Sequence, residues 1–121
     1  MGIMNLEIRL LSIAIFVSAC GIVSAQDKGD QLRRQLLTGR AAVEDGFFDT
    51  ARTALKTFLT EGDERPAAER AEAAHLYLRA LSGEEMYSDL LLLLDEQPKW
   101  LADNPVGLHR FWRAFAQHRM G

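Results

Sequence analysis

The sequence predicts an all-α protein, and three observations carry that prediction. From Gly29 onward, apolar residues recur at three- and four-residue steps, which places them along one side of a helix. No stretch alternates with period two for long enough to form a strand. Chain breakers punctuate the pattern at Asp45-Gly46, Glu61-Gly62-Asp63, Ser82-Gly83 and Pro98.

The first helix carries Leu32, Leu36, Val43 and Phe47, with Leu37 and Gly39 between them. The second presents Phe48, Ala51, Leu55, Phe58 and Leu59 as one stripe. Pro66 suits the first turn of a third helix, where its missing N–H costs nothing, and Ala71, Ala74, Leu78 and Leu81 follow as that helix's apolar face. Ser82 and Glu85 have the spacing of a capping box, so a fourth helix is expected from Glu85 to about Glu96. Its leucine run, with Met86 and Tyr87, implies burial on more than one side, and Pro98 is expected to end it. Asn104 before Pro105 signals a fifth start, with Leu108, Phe111, Trp112 and Phe115 as the apolar face. Short links make consecutive helices antiparallel, which gives two hairpins and one further helix.

The N-terminal stretch reads differently. Arg9 is followed by an uncharged run from Leu10 to Gln26, an apolar core that ends in small residues, as in a secretory signal. Residues 1–25 are therefore expected to be a signal peptide, and residues 29–121 the helical domain. Two cleavage sites compete. Val23-Ser24-Ala25 fits an ordinary cut before Gln26, whereas Val17-Ser18-Ala19-Cys20 resembles a bacterial lipobox in which Cys20 becomes the lipidated first residue. Either way the rest of the chain is expected outside the cytoplasm: periplasmic, attached to the outer membrane as a lipoprotein, or secreted.

Composition narrows the function classes. The 121 residues hold 14 Lys+Arg against 17 Asp+Glu, a net charge of −3 that lacks the footprint of a general nucleic-acid binder. A single cysteine leaves no disulfide framework, so stability must come from apolar burial.

The stretch from Gly39 to Ala51 resembles the tetratricopeptide repeat. Gly39, Gly46, Phe48 and Ala51 stand at that family's small, turn-glycine, aromatic and small positions, and Leu55 and Leu59 continue its buried positions. Phe58 departs from the pattern, being large where alanine is usual. A second unit, about Ala67 to Gln97, follows more loosely: Gly83 and Tyr87 echo Gly46 and Phe48, but at a spacing of four rather than two. The resemblance implies a short solenoid of about five helices, in which the first helix of each hairpin lines a groove for an extended peptide or a partner helix. It places Arg33, Arg40 and Glu44 in that groove, with His75 and Arg79 as looser equivalents. Their mixed charge implies a polar or acidic protein partner. The signal together with repeats is also similar to outer-membrane assembly lipoproteins of the β-barrel insertion machinery, which carry more repeats than fit here.

No catalytic or cofactor pattern stands beside this. The histidines His75, His109 and His118 lack zinc-ligand spacing. No nucleophile elbow, phosphate-binding loop or dinucleotide glycine pattern occurs. The paired carboxylates Glu44/Asp45, Glu84/Glu85 and Asp95/Glu96 sit at helix ends, where they solvate termini. The expectation is a non-catalytic interaction module without cofactor or metal. The alternative is a structural subunit that oligomerises through leftover apolar residues near Trp100 and Trp112, or a fragment of a longer array.

Overall fold

A computed structural model describes residues 25–102 and 106–121. The lipobox, Cys20 and the rest of the signal run up to Ser24 lie outside the described residues, as do Asn104 and Pro105. Every described element is helical: α1 Ala25–Asp45, α2 Phe48–Glu61, α3 Ala67–Gly83, α4 Tyr87–Glu96, α5 Lys99–Ala102 and α6 Val106–Met120. The packing described below lies within residues 31–121, which form one compact unit.

Two dry clusters share one central helix. Leu32, Leu36 and Val43 of α1, Leu55, Phe58 and Leu59 of α2, and Ala73, Ala74, Leu76 and Ala80 of α3 form the first. Leu78 and Leu81 of α3 join Leu90, Leu94, Leu101, Trp112 and Ala116 in the second. The single stripe expected on α3 is thus two faces. A helix flanked on both sides must bury both, and alanine on one side with leucine on the other lets α2 and α4 approach together. Tyr77 and Trp100 touch both clusters and meet edge to face, ring centroids 5.7 Å apart.

Close helix contact rests on two glycines. A Cβ on Gly39 would sit 2.5 Å from Leu55 Cγ, and one on Gly83 2.5 Å from the Phe48 ring. Gly39 therefore brings α1 onto α2, while Gly83 brings the end of α3 onto the start of α2.

The two hairpin turns have the same construction. After α1, Gly46 N–H donates to Val43 O at 3.2 Å and Phe47 N–H to Ala42 O at 2.8 Å. After α3, Glu85 N–H donates to Ser82 O at 3.0 Å and Met86 N–H to Leu81 O at 2.9 Å. In each, a left-handed residue follows the helix, Gly46 at φ 80° directly after α1 and Glu85 at φ 58° two residues after α3, the geometry of a Schellman close. The partner of Gly46 is thus Glu85 rather than Gly83, and Tyr87 follows it at the same spacing as Phe48 follows Gly46.

This corrects the expected capping box. No side-chain cap bond stands before α4, which starts at Tyr87 instead of Glu85, because residues 82–86 are used to close α3. A left-handed Glu pays a steric penalty that glycine avoids. Glu85→Gly is expected to raise stability by about 1 kcal/mol, and Gly46→Ala to lower it by about 1 kcal/mol. Thermal melts of the two variants check this. Gly46 has no atom within 4 Å of its missing Cβ, so the second effect is purely conformational.

Three smaller differences remain, the first two set by short-range backbone chemistry. Pro66 stands before α3 instead of inside it, its carbonyl accepting from Arg70 N–H at 3.1 Å. Gln97, left-handed at φ 46°, closes α4 one residue ahead of Pro98, whose carbonyl accepts from Leu101 and Ala102 and so builds the unexpected α5. On α6, Trp112 is buried as expected, whereas Phe111 is 57% exposed.

Candidate functional site

On α1, Arg33, Leu37, Arg40 and Glu44 are four, three and four residues apart and fall on one helical stripe. Leu32, Leu36, Val43 and buried Gly39 point elsewhere, into the first cluster, which leaves this stripe toward solvent. Arg33 and Glu44 are exposed, and Leu37 is 46% exposed, an apolar side chain amid charges.

Arg40 reaches across to α3. Its Nε donates to Glu72 Oε1 at 2.7 Å and its Nη2 to Glu72 Oε2 at 3.0 Å, a two-point guanidinium–carboxylate pair. Both side chains remain over a third exposed, so solvent screens the pair and it contributes at most about 1 kcal/mol. Its geometric effect is larger, since it aligns α1 beside α3. From Glu72 the same side of α3 continues to His75 and Arg79, both exposed. The His75 ring lies 5.7 Å from that of Trp112, tilted by 52°, which sets α6 next to α3. Trp112 Nε1 is buried without a hydrogen-bond partner.

The five residues singled out from sequence therefore lie on two neighbouring helices, α1 and α3. Among the described residues they make no hydrogen bond or ion pair with one another; Arg40 is paired with Glu72, and His75 meets the Trp112 ring. Sequence reading passed over Glu72 and the exposure of Leu37, and took Phe111 and Trp112 together as one apolar face. Glu72 is 32 positions from Arg40, beyond any local pattern, but Leu37 was visible as an apolar residue on a polar stripe.

Two cavities lie elsewhere. One of about 470 Å³ is lined by Arg52, Thr53, Lys56, Thr57, Thr60 and Tyr77. Its threonine hydroxyls are occupied, donating to helix carbonyls at 2.9–3.2 Å. Burial pushes the Tyr77 phenol above its ordinary value of 10.0, Arg52 draws it back, and Asp89 adds to the rise. Arg52 pairs with Asp49 at 3.1 Å and Glu84 at 2.8 Å, so its charge is spent across the gap between α2 and the α3–α4 turn. The other, about 420 Å³, opens at the α1–α2 turn beside Phe47, Phe48, Asp49 and Glu84.

Among the described residues, no group of three or more His, Cys, Asp or Glu side chains is placed to hold a metal ion. No described helix is long and apolar enough to cross a membrane. No family model matches the chain, and no curated protein or solved structure shows significant similarity to it.

Proposed function

We propose that this protein is a non-catalytic adaptor, exported by its N-terminal signal, that captures a polar or acidic protein segment along α1 and α3 in the manner of a short tetratricopeptide-like solenoid. The supporting observation is the Arg40–Glu72 pair, which sets the first helices of the two hairpins side by side with Arg33, Leu37, Glu44, His75 and Arg79 left to solvent. The recurrence of one turn geometry, closing α1 and α3 alike, supports reading the hairpins as repeats. Exposed arginines around an apolar Leu37 suit a segment that offers carboxylates and one aliphatic anchor. On this reading the protein is attached to a membrane through lipidated Cys20, or free after a cut before Gln26.

The test uses the processed chain purified from cell envelopes and weighed intact, so that a diacylglyceryl mass on Cys20 or a start at Gln26 defines the molecule. Proteins crosslinked to it in the envelope are compared with those crosslinked to Arg33→Glu/Arg79→Glu and to Lys56→Glu, a reversal on α2. Recovery of the specific partners should fall about tenfold in the double variant, the scale of one to two lost hot-spot contacts, and stay level in Lys56→Glu. Equal recovery in all three, or a lowered melting temperature in the double variant, rejects the groove. A start that retains residues 1–19 rejects both cleavages.

A further inference from the structure

Two large apolar side chains stand out in solvent on surfaces of opposite charge. Phe47, 64% exposed, projects from the α1–α2 turn. Asp45 and Asp49 flank it in the sequence, and Glu84 lines the same cavity as Phe47. Phe111, 57% exposed, projects from α6, a helix with three arginines, two histidines and no acidic residue in a chain of net charge −3. On α6 the Phe111 and Phe115 rings stack at 6.2 Å, and the Arg119 guanidinium lies 5.4 Å over Phe115. Arg110 is exposed and has no acidic partner among the described residues, whereas Arg113 is paired with Asp95.

We infer that these two surfaces belong to one contact between copies: the acidic Phe47 turn of one molecule docks on the basic Phe111 face of α6 in the next. Each surface offers an aromatic anchor beside an excess of one sign of charge. At the turn, Arg52 offsets part of the charge of Asp49 and Glu84 and leaves Asp45 without a cation among the described residues, and α6 supplies the opposite sign and a second aromatic. Asp45 and Asp49 meet Arg110 and Arg119, while Phe47 reaches the Phe111–Phe115 stack. The cavity beside Phe47 and Phe48 gives the incoming ring or guanidinium a place to enter. Because the two patches differ, the contact is head to tail. It leaves a free turn at one end and a free α6 at the other, so it grows beyond two copies unless it closes into a ring. This contact is independent of the α1–α3 groove, since it uses neither Arg33 nor Arg79.

Sedimentation of the full processed chain, at rising concentration and at two salt levels, tests it. Species larger than the monomer should form in steps, and association should weaken at high salt as the surface charges are screened. Phe47→Ala and Phe111→Ala should each weaken association about tenfold, with helicity and melting unchanged. The decisive experiment is a charge exchange. Arg110→Glu/Arg119→Glu alone and Asp45→Arg/Asp49→Arg alone should each stay monomeric, and an equimolar mixture should associate again. A monomer at every concentration overturns the proposal. So does a mixture of the two charge variants that stays monomeric.

Discussion

Phe58→Ala should be among the most damaging single substitutions in the chain, costing about 3–5 kcal/mol. Phe58 is fully buried, the largest side chain in the first cluster, and α1, α2 and α3 all contribute to the wall around it. Its loss removes the transfer energy of a ring and leaves a void that alanines on α3 are too short to refill. A domain this size carries roughly 5–15 kcal/mol in total, so the variant gives up a large share. The midpoint of thermal unfolding should fall by about 12–40 °C, at roughly 4–8 °C per kcal/mol. Phe58→Leu, which keeps most of the volume, should cost about 1.5 kcal/mol or less. A loss below about 1 kcal/mol for the alanine variant would mean that the first cluster does not close around this ring. The measurement also bears on the tetratricopeptide likeness, because Phe58 stands where that family is usually small.

What could be read ahead of the structure followed from how local the governing forces are. Leu32, Leu36 and Val43, or Leu55, Phe58 and Leu59, announce helices because 3.6-residue periodicity is written in neighbouring positions. Gly46 and the α2 start were readable for the same reason. The leucine-rich α4 was placed correctly, but its first residue was not. Ser82 and Glu85 satisfy a local motif for starting a helix, and the same residues also suffice to end one; the second use won because α3 had to be closed. Burial on α3 was half legible, since a helix packed on both sides loses the single stripe that marks an amphipathic one. The four-residue α5 is too short to show any period.

The candidate site was legible only as a set of positions. The tetratricopeptide resemblance named Arg33, Arg40 and Glu44, which are four or seven residues apart along α1. Nothing in the order of residues says that Arg40 finds Glu72 or that His75 lies beside Trp112, because those contacts depend on how hairpins stack. The outward turn of Phe111 has the same origin. Its helical position lies at the edge of the α6 apolar face, and packing on α3 and α4 takes up Trp112 and Ala116 first.

Gly39 and Leu55 should show strong energetic coupling whose sign reverses with the partner. In the native background Gly39→Ala gains about 0.8–1 kcal/mol from helix propensity. It also drives a methyl to 2.5 Å from Leu55 Cγ and Cδ2, and Leu55 is fully buried, with no open space to swing into. Overpacking of this kind costs about 1–3 kcal/mol, so the net effect is a loss of up to about 2 kcal/mol. Leu55→Ala alone should cost about 2–5 kcal/mol by opening a cavity against α1. With Leu55 already truncated the added methyl meets no branched carbon and enters the space left behind. Gly39→Ala should then stabilise by about 1 kcal/mol, its helix propensity now unopposed. The double-mutant cycle, run by urea denaturation on all four proteins, therefore carries a coupling of about 1–3 kcal/mol in favour of the pair. If Gly39→Ala destabilises equally in both backgrounds, the glycine answers to backbone conformation instead, as Gly46 does, and α1 does not rest on Leu55. A reversal of sign would show that the missing side chain at Gly39 is what lets the first two helices close on each other.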